Sequence, residues 1–550
     1  MQPNLNAMPV LLLALCSPAF AAQGPPEKDA EEAPRGLITK TEEATPGFTL
    51  FSPLRSETTV LIDLDGKIVH EWKTNCSPGN SAYLQANGDL IRCGRVQNDV
   101  FHGGGQGGLV QRLAWDGELL WELPLSNEKL LAHHDIAVMP NGNILVIAWE
   151  YKSPKAAKAA GRTDDHISES GFWPDMVLEY QVDEDGQAKV VWEWHAFDHL
   201  IQDADEDVAN FGIVGDHPEL IDINGEVRVD PAVSKAQAAE DQQEQEQRER
   251  ELEERMRALG YTGDDPEEDE EEEETDSPSG PRSGDWLHTN GIDYNVSNDM
   301  VVLSVRTFSE VWVIDHSTTT AEAKGHTGGR YGHGGDLLYR LGNPAASRSG
   351  KAEDQRLFKQ HDASWVGATD EGLAVLVFNN GEGRPDGSYS TVDEFLLPFK
   401  ANEGFNTGRA KLVWQYKAEE PESFFASFVS GAQRLENGNT LICHGVEGQL
   451  LEVNKQGRTV WEYHNPLVGD QPLEPGGGQS KDGPPQGGPR GDGPPHRGPK
   501  GDGPPHGGPR GDGPPQGAPP GRGRSAMLRY GMFRGTHIAG DHPGLTGREL

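Results

Sequence analysis

Short runs in which apolar and polar residues alternate, each ending at a glycine turn, recur along most of the chain. Thr58 to Trp72 reads TTVLIDLDGKIVHEW, two alternating strands joined by Asp65-Gly66 and closed by a tryptophan. The same unit returns as GLVQRLAWDGELLWEL from Gly108, MVLEYQVDEDGQAKVVWEW from Met176 and GQLLEVNKQGRTVWEY from Gly448. A second hairpin, turning on Asn-Gly, follows these units. It reads AYLQANGDLIRCG from Ala82, DIAVMPNGNILVIA from Asp135 and GAQRLENGNTLICHG from Gly431. GIDYNVSNDMVVLSVR from Gly291 and ASWVGATDEGLAVLVFNN from Ala363 fit with longer turns. A period of two predicts strands, and a glycine turn between them predicts a hairpin. Two hairpins make a four-stranded sheet, and about six such sheets are counted. A β-sandwich uses similar elements. Blade-like spacing and the recurrent tryptophan favour an all-β, six-bladed β-propeller, in which blades bury their faces against one another.

Two segments break this rhythm. Within 205–285, Pro231 to Gly260 has the start and stop signals of a helix, with Glu244/Arg248, Glu246/Arg250, Glu251/Arg255 and Glu253/Arg257 as i,i+4 pairs. Few apolar residues interrupt it, and a nearly unbroken acidic run, Asp264 to Asp276, follows. The segment reads as a solvated insertion in a blade-connecting loop, away from chemistry. From Gly476 to Arg524 a ten-residue unit repeats, as in Gly491-Asp492-Gly493-Pro494-Pro495. Glycine does not fall at every third position, so this is a low-complexity linker and not collagen. The predicted organisation is a leader over 1–22, an N-terminal linker over 23–45 and the first part of the propeller over 46–204. The insertion over 205–285 precedes the second part over 286–467. A Pro/Gly-rich linker over 468–524 leads to a tail over 525–550, which regains apolar content and is expected to return and complete the last blade.

Composition sharpens this picture. Among 550 residues there are 69 Gly and 39 Pro, and the formal charge is −40. That balance argues against a nucleic-acid partner, whose phosphates an acidic surface repels. Val10 to Cys16 is a short apolar run and Ala19-Phe20-Ala21 a plausible cleavage site, so the chain is expected to be exported, periplasmic or secreted. No later segment is long and apolar enough to cross a bilayer. Cys76, Cys93 and Cys443 then remain. A Cys76–Cys93 bridge and three separate buried thiols both fit.

The repeat register points to the chemistry. His134, Ser430 and Asn80 each lie eight residues before the glycine of an Asn-Gly turn, at Gly142, Gly438 and Gly88. His288 and His361 open the corresponding strands in the units with longer turns. Equivalent strand starts of a propeller converge on one mouth of the central channel, a normal place for a ligand. Three converging histidines could also hold zinc. Arg306, on the strand after His288 among apolar neighbours, argues for an anion, because a guanidinium fork suits a sulfate or phosphate better than a cation does.

At these residues the chain resembles the bacterial arylsulfotransferases. The motifs are GFTLFSP at Gly47, LIDLDGKIVHEW at Leu61, HHDIAVMPNGN at His133, WEWHAFDHLIQD at Trp192, HTNGIDYN at His288, SVRTFSEVWVIDHS at Ser304, LLYRLGNP at Leu337, QHDASWV at Gln360, VFNNG at Val377 and FVSGAQRLENGNTLIC at Phe428. They cover nearly all of 47–467 outside the insertion. The resemblance implies a six-bladed propeller with no metal and no phosphoadenosine cofactor. It would move a sulfuryl group from an aryl sulfate to a phenol by a ping-pong route through a sulfated histidine. His361 is then the nucleophile, His288 and Arg306 hold the sulfuryl oxygens, and His134 assists proton transfer or leaving-group stabilisation. Asn290, Ser430 and Asn80 are the candidate substrate-binding residues. The alternative is a propeller on the same scaffold that only binds a ligand.

Overall fold

In the computed structural model, residues 34–225, 284–468, 471–472 and 528–550 are described. The leader, the charged helix and acidic run of the insertion, and the Pro/Gly repeats lie outside them. The hairpin turns form where the glycines place them. Gly88, Gly142 and Gly438 have φ of +91°, +86° and +89°, a region open mainly to glycine. Each donates its N–H to the carbonyl three residues earlier, on Gln85, Met139 and Leu435, at 2.8, 2.9 and 2.8 Å.

Among the described residues most strands assemble into six antiparallel sheets of four or five strands, with three two-stranded pairs outside them. Blade 2 runs from its inner strand Pro78–Leu84 through Leu90–Arg95 and Gly108–Leu113 to Leu119–Pro124. Blade 3 has Leu130–Val138, Ile144–Glu150, Asp175–Val182 and Ala188–His195. Blade 4 has Thr289–Asn295, Met300–Val305, Glu310–Asp315 and Tyr339–Leu341. Blade 5 has His361–Thr369, Gly372–Asn379, Thr391–Leu397 and Lys411–Tyr416. Blade 6 has Gly431–Arg434, Thr440–His444, Gln449–Val453 and Thr459–His464, with Gly36–Lys40 added as a fifth, outer strand. Blade 1 joins both ends of the chain: Met532–Ala539 is its inner strand, followed by Gly47–Pro53, Thr58–Asp63 and Ile68–Lys73. The six inner strands pack on one another in a closed ring.

This grouping refines the sequence reading in two respects. Each Asn-Gly hairpin opens a sheet, and the Asp-Gly hairpin after it completes the sheet, so a blade boundary falls after each closing tryptophan. The tail completes blade 1, not blade 6: it pairs with Gly47–Pro53 from Gly47↔Ala539 to Pro53↔Met532. Blade 1 lacks a preceding hairpin to supply its inner strand, and the tail fills that vacancy in the ring.

The tryptophans explain the boundary. Trp461 donates its indole N–H to Leu64 O in the next blade, Trp192 to Thr318 Oγ1 and Trp414 to Lys455 O, at 2.9, 3.1 and 3.0 Å. Trp72 packs edge-on against Trp115 of the next blade, centroids 5.2 Å apart. A tryptophan on one outer strand therefore clamps the turn of its neighbour. The core lies between blades. Ile91, Cys93, Val110 and Trp121 of blade 2 pack with Ile136, Val146 and Leu178 of blade 3, and Val302 and Val313 of blade 4 with Val375 and Phe395 of blade 5. Middle strands covered on both faces read as continuous apolar runs, such as MVVLSV from Met300.

The three cysteines are free. Cys76 Sγ lies 3.5 Å from Gln111 Oε1 and 3.9 Å from Arg92 Nη1, whereas Cys93 Sγ is 3.4 Å from Ser81 Oγ. Arg92 and Cys93 are consecutive in one strand and point to opposite faces, so the sheet itself separates the two sulfurs. Among the described residues, no helix is long and apolar enough to cross a membrane.

Candidate active site

The six inner strands surround the channel, and four of them carry a left-handed residue, within the strand at Asn80 and His134 and just before it at His288 and Ser430. Asn80, His134, His288 and Ser430 have φ of 94°, 54°, 52° and 83°. The shared register is thus a shared backbone kink. His361 is out of phase by one residue, because in blade 5 the left-handed position is Asp362, φ 55°. The kink costs non-glycine residues of order 1 kcal/mol each and aims their side chains into the channel mouth.

The predicted catalytic residues come together. The rings of His134 and His288 are 4.6 Å apart between centroids. Arg306 follows the second strand of blade 4, and its N–H reaches His288 O at 3.4 Å. His134 and His361 are fully buried, while His288 and Arg306 touch solvent at 8% and 9% exposure, so the latter two form the rim. Burial first, and then the positive charge of Arg306, hold the His361 imidazole well below its ordinary range; Asn380 opposes the shift. Burial also holds His134 well below that range, reinforced by His288, His133, His361 and Arg306. Both rings are therefore neutral near pH 7.

The tautomer of His361 is determined by its surroundings. The Asn380 amide nitrogen donates to Ala426 O and Val429 O, at 2.7 and 3.1 Å, which leaves Asn380 Oδ1 as an acceptor. His361 Nδ1 faces that oxygen at 2.8 Å and so carries the proton. Nε2 keeps its lone pair and accepts a 3.2 Å hydrogen bond from Val429 N–H. Such a ring is a neutral nucleophile with one available nitrogen. His288 Nδ1 meets Asp285 Oδ2 at 2.5 Å, which orients that ring in turn. Arg306 Nη2 pairs with Glu382 Oε2 at 2.6 Å. Neutral imidazoles and a guanidinium around one opening suit transfer of an anionic group.

The candidate substrate-binding side chains are directed at backbone. Asn80 donates to Gly105 O at 3.1 Å, Asn290 donates to Gln360 O at 2.9 Å, and Ser430 Oγ accepts from Gly445 N–H at 2.9 Å. Asn290 thus holds the residue before His361, and Asn80 holds the loop whose Gly105 carbonyl accepts from His134 N–H at 2.8 Å. Gly105 must be glycine: its φ is +77°, and a Cβ there would lie 2.0 Å from His134 Nε2.

The arylsulfotransferase (ASST) family model matches residues 37–466. The chain belongs to the arylsulfotransferase family. It is an aryl-sulfate sulfotransferase that works without a phosphoadenosine donor. Among curated proteins none matches the chain. Similar solved structures include a protein of unknown function from Bacteroides caccae, at 13% identity over 76% of this chain and 94% of that one, TM-score 0.37. Catalytically inactive virginiamycin B lyase from Staphylococcus aureus with quinupristin shares 9% over 78% and 87%, TM-score 0.32. Apo AztD from Citrobacter koseri shares 9% over 78% and 97%, TM-score 0.28.

Several residues of this arylsulfotransferase site escape a reading of its sequence. Asp285 is the last residue of the segment taken as an insertion away from chemistry, yet it holds His288. The insertion's C-terminal edge therefore belongs to the site. The DWLHTN spacing, a carboxylate three residues before the histidine, carried that signal. The two His-Asp pairs, His134-Asp135 and His361-Asp362, also share a partner. Arg534 from the tail bonds Asp135 Oδ2 at 2.7 Å and Asp362 Oδ1 at 3.0 Å. Asp362 in turn accepts from Ala432 N–H at 2.9 Å, and Asp293 from Trp365 N–H at 2.8 Å. These carboxylates stitch the inner strand of blade 4 to that of blade 5, and blade 5 to blade 6. Burial pushes the Asp293 carboxyl up to about 6. No repeat marks Arg534, because the tail has no internal copy.

Proposed function

We propose that this arylsulfotransferase moves a sulfuryl group from a phenolic sulfate ester to a phenol in two displacements through His361. The Nε2 lone pair attacks sulfur, the bond from sulfur to the aryl oxygen breaks, and a phenolate leaves. The ring then bears a sulfo group on Nε2 and a proton on Nδ1, and Asn380 Oδ1 accepts from that proton as positive charge develops. Val429 N–H, released from Nε2, becomes a donor for a sulfuryl oxygen. Arg306 and His288 offset charge on the other oxygens, and neutral His134 offers a hydrogen bond to the leaving phenolate, which takes its proton from solvent. The acceptor phenol gives its proton to the free nitrogen of His134 as its oxygen attacks sulfur from the vacated side, the nitrogen–sulfur bond breaks, the lone pair returns to Nε2, and His134 releases the proton to solvent. The observation that carries this reading is the locked tautomer of His361, on whose ring the positive charge of Arg306 acts. The apolar run at Val10 supports action outside the cytoplasm, in the periplasm or medium.

The test uses a chromogenic aryl sulfate with and without phenol. Phenol-dependent release, with the sulfuryl group recovered on the phenol, supports the transfer. Donor alone should leave an acid-labile label on His361, and His361→Asn should abolish label and turnover while the fold persists. Release into water alone makes the protein a sulfatase. Tight donor binding without turnover favours a propeller that only binds. A label that survives in His361→Asn and vanishes in His288→Asn or His134→Asn moves the nucleophile.

A further inference from the structure

A second cluster of histidines lies outside the channel, between the outer parts of blades 3 and 4. His199 follows the outer strand of blade 3, in the turn Ala196–Asp198 and beyond. His326 and Asp336 lie in the long excursion between Glu310–Asp315 and Tyr339–Leu341 of blade 4. Asp336 Oδ1 is 2.8 Å from His199 Nδ1 and 2.8 Å from His326 Nδ1. One ligand atom from each of the three residues falls within 4.8 Å of the other two.

The hydrogen bonds require a cationic centre between ring and carboxylate, a proton or a metal ion. His199 Nε2 lies 2.9 Å from Ala323 O, and a carbonyl only accepts, so Nε2 carries the proton. In a neutral ring Nδ1 then bears a lone pair, aimed at a carboxylate oxygen that also only accepts. The contact needs a positive species between them. A histidine that donates its far N–H to a backbone carbonyl has the orientation common to metal-bound imidazoles. The surroundings hold the ring still. It is fully buried and stacks on Trp194, planes 6° apart, and Trp194 donates to Gly335 O at 2.7 Å. Gly335 admits this close approach: a Cβ there would lie 1.9 Å from Ala323 O and 2.6 Å from His199 Nε2.

We propose that His199, His326 and Asp336 bind one divalent transition-metal ion of the zinc class, which cross-links blade 3 to blade 4. Two imidazoles and one carboxylate are a normal ligand set for such an ion, with bonds of about 2.0–2.2 Å. Donors around a tetrahedral ion then sit roughly 3.3 Å apart, so the 2.8 Å contacts open by about half an ångström on binding. His326 is 61% exposed and also lines a cleft with Phe197, Ile201, Phe211 and His217. The fourth position faces that cleft and takes water. The ion's place is structural, since its ligands sit on outer strands and loops and not at the inner-strand starts.

The full chain is stripped with chelator, dialysed and titrated with zinc, with cobalt(II) as a spectroscopic stand-in. The proposal expects one equivalent of zinc, a cobalt spectrum of low-coordinate nitrogen and oxygen ligation, and a higher unfolding midpoint with metal. His326→Ala, at an exposed side chain, should weaken uptake by at least about tenfold and abolish the midpoint rise. Asp336→Asn should do the same. No stoichiometric uptake by the wild-type chain overturns the proposal. So does uptake that persists in both variants, or that vanishes instead in His361→Asn, which would place the ion in the channel. A chain indifferent to zinc whose midpoint rises on acidification also overturns it, because the species beside Asp336 is then an imidazolium.

Discussion

Removing the tail, 525–550, tests whether ring closure is a condition of folding. The tail buries Met532 and Phe533 at 0% and 1% exposure, and Ile538 and Leu545 at 6% and 5%. Each such side chain contributes about 1.5–3 kcal/mol, so the four together supply roughly 6–12 kcal/mol. Loss of Arg534 strands Asp135 and Asp362, and an uncompensated buried charge costs about 3–5 kcal/mol more. The total, roughly 9–17 kcal/mol, is as large as a typical stability of about 5–15 kcal/mol. The truncated chain should therefore lack near-ultraviolet circular dichroism and a cooperative melt, and should not turn over an aryl sulfate. A synthetic peptide of residues 525–550 added in trans should restore both in part. Deleting 491–510 from the Pro/Gly linker is the contrast. Loop-closure entropy grows only with the logarithm of length, so the change should be about 0.4 kcal/mol and activity should persist. A truncated chain with a native melt and full turnover would refute the reasoning.

Glu382→Gln removes the carboxylate that competes with an anionic donor for Arg306, so the donor's KM should fall by about 5–50-fold while kcat changes little; an increased KM in steady-state assays would show that Glu382 positions Arg306. Arg306→Lys keeps the charge but loses the fork and should lower kcat about 10–100-fold with donor binding retained, checked by titrating the non-turning-over variant. His134 and His361 have folded values depressed below an unfolded value near 6.5. Their stability contribution is complete above that pH and lost as pH falls, by about 1.4 kcal/mol per pH unit each, until the folded values are reached. Denaturant melts from pH 7 to 5 should show this slope, and His361→Asn should remove its share. His316, which Asp299 and Glu179 hold up at about 9 against burial, acts oppositely: its contribution is complete below 6.5 and lost as pH rises through 9, and His316→Gln should flatten the alkaline limb of the same melts.

The elements of this arylsulfotransferase are legible in its sequence because they are decided locally. A positive φ at Gly88 or Gly142 is a property of one residue, and alternation along Thr58–Asp63 follows from the pleat of one strand. The same locality exposes His134, Ser430 and Asn80, each eight residues before the glycine of its turn. His361 is found for its motif but stands one residue off the common kink, a displacement that only the blade 5 pairing, irregular between His361 and Ser364, produces. The grouping of hairpins into blades depends on Trp461 meeting Leu64 and Trp192 meeting Thr318, contacts between residues far apart in the chain. The tail's place in blade 1, the salt links from Arg534, the grip of Asn380 on His361 and the meeting of His199 with Asp336 have the same origin. Each joins segments whose adjacency exists only after six sheets close into a ring, because closure, and not any local preference, decides which strand starts face one another.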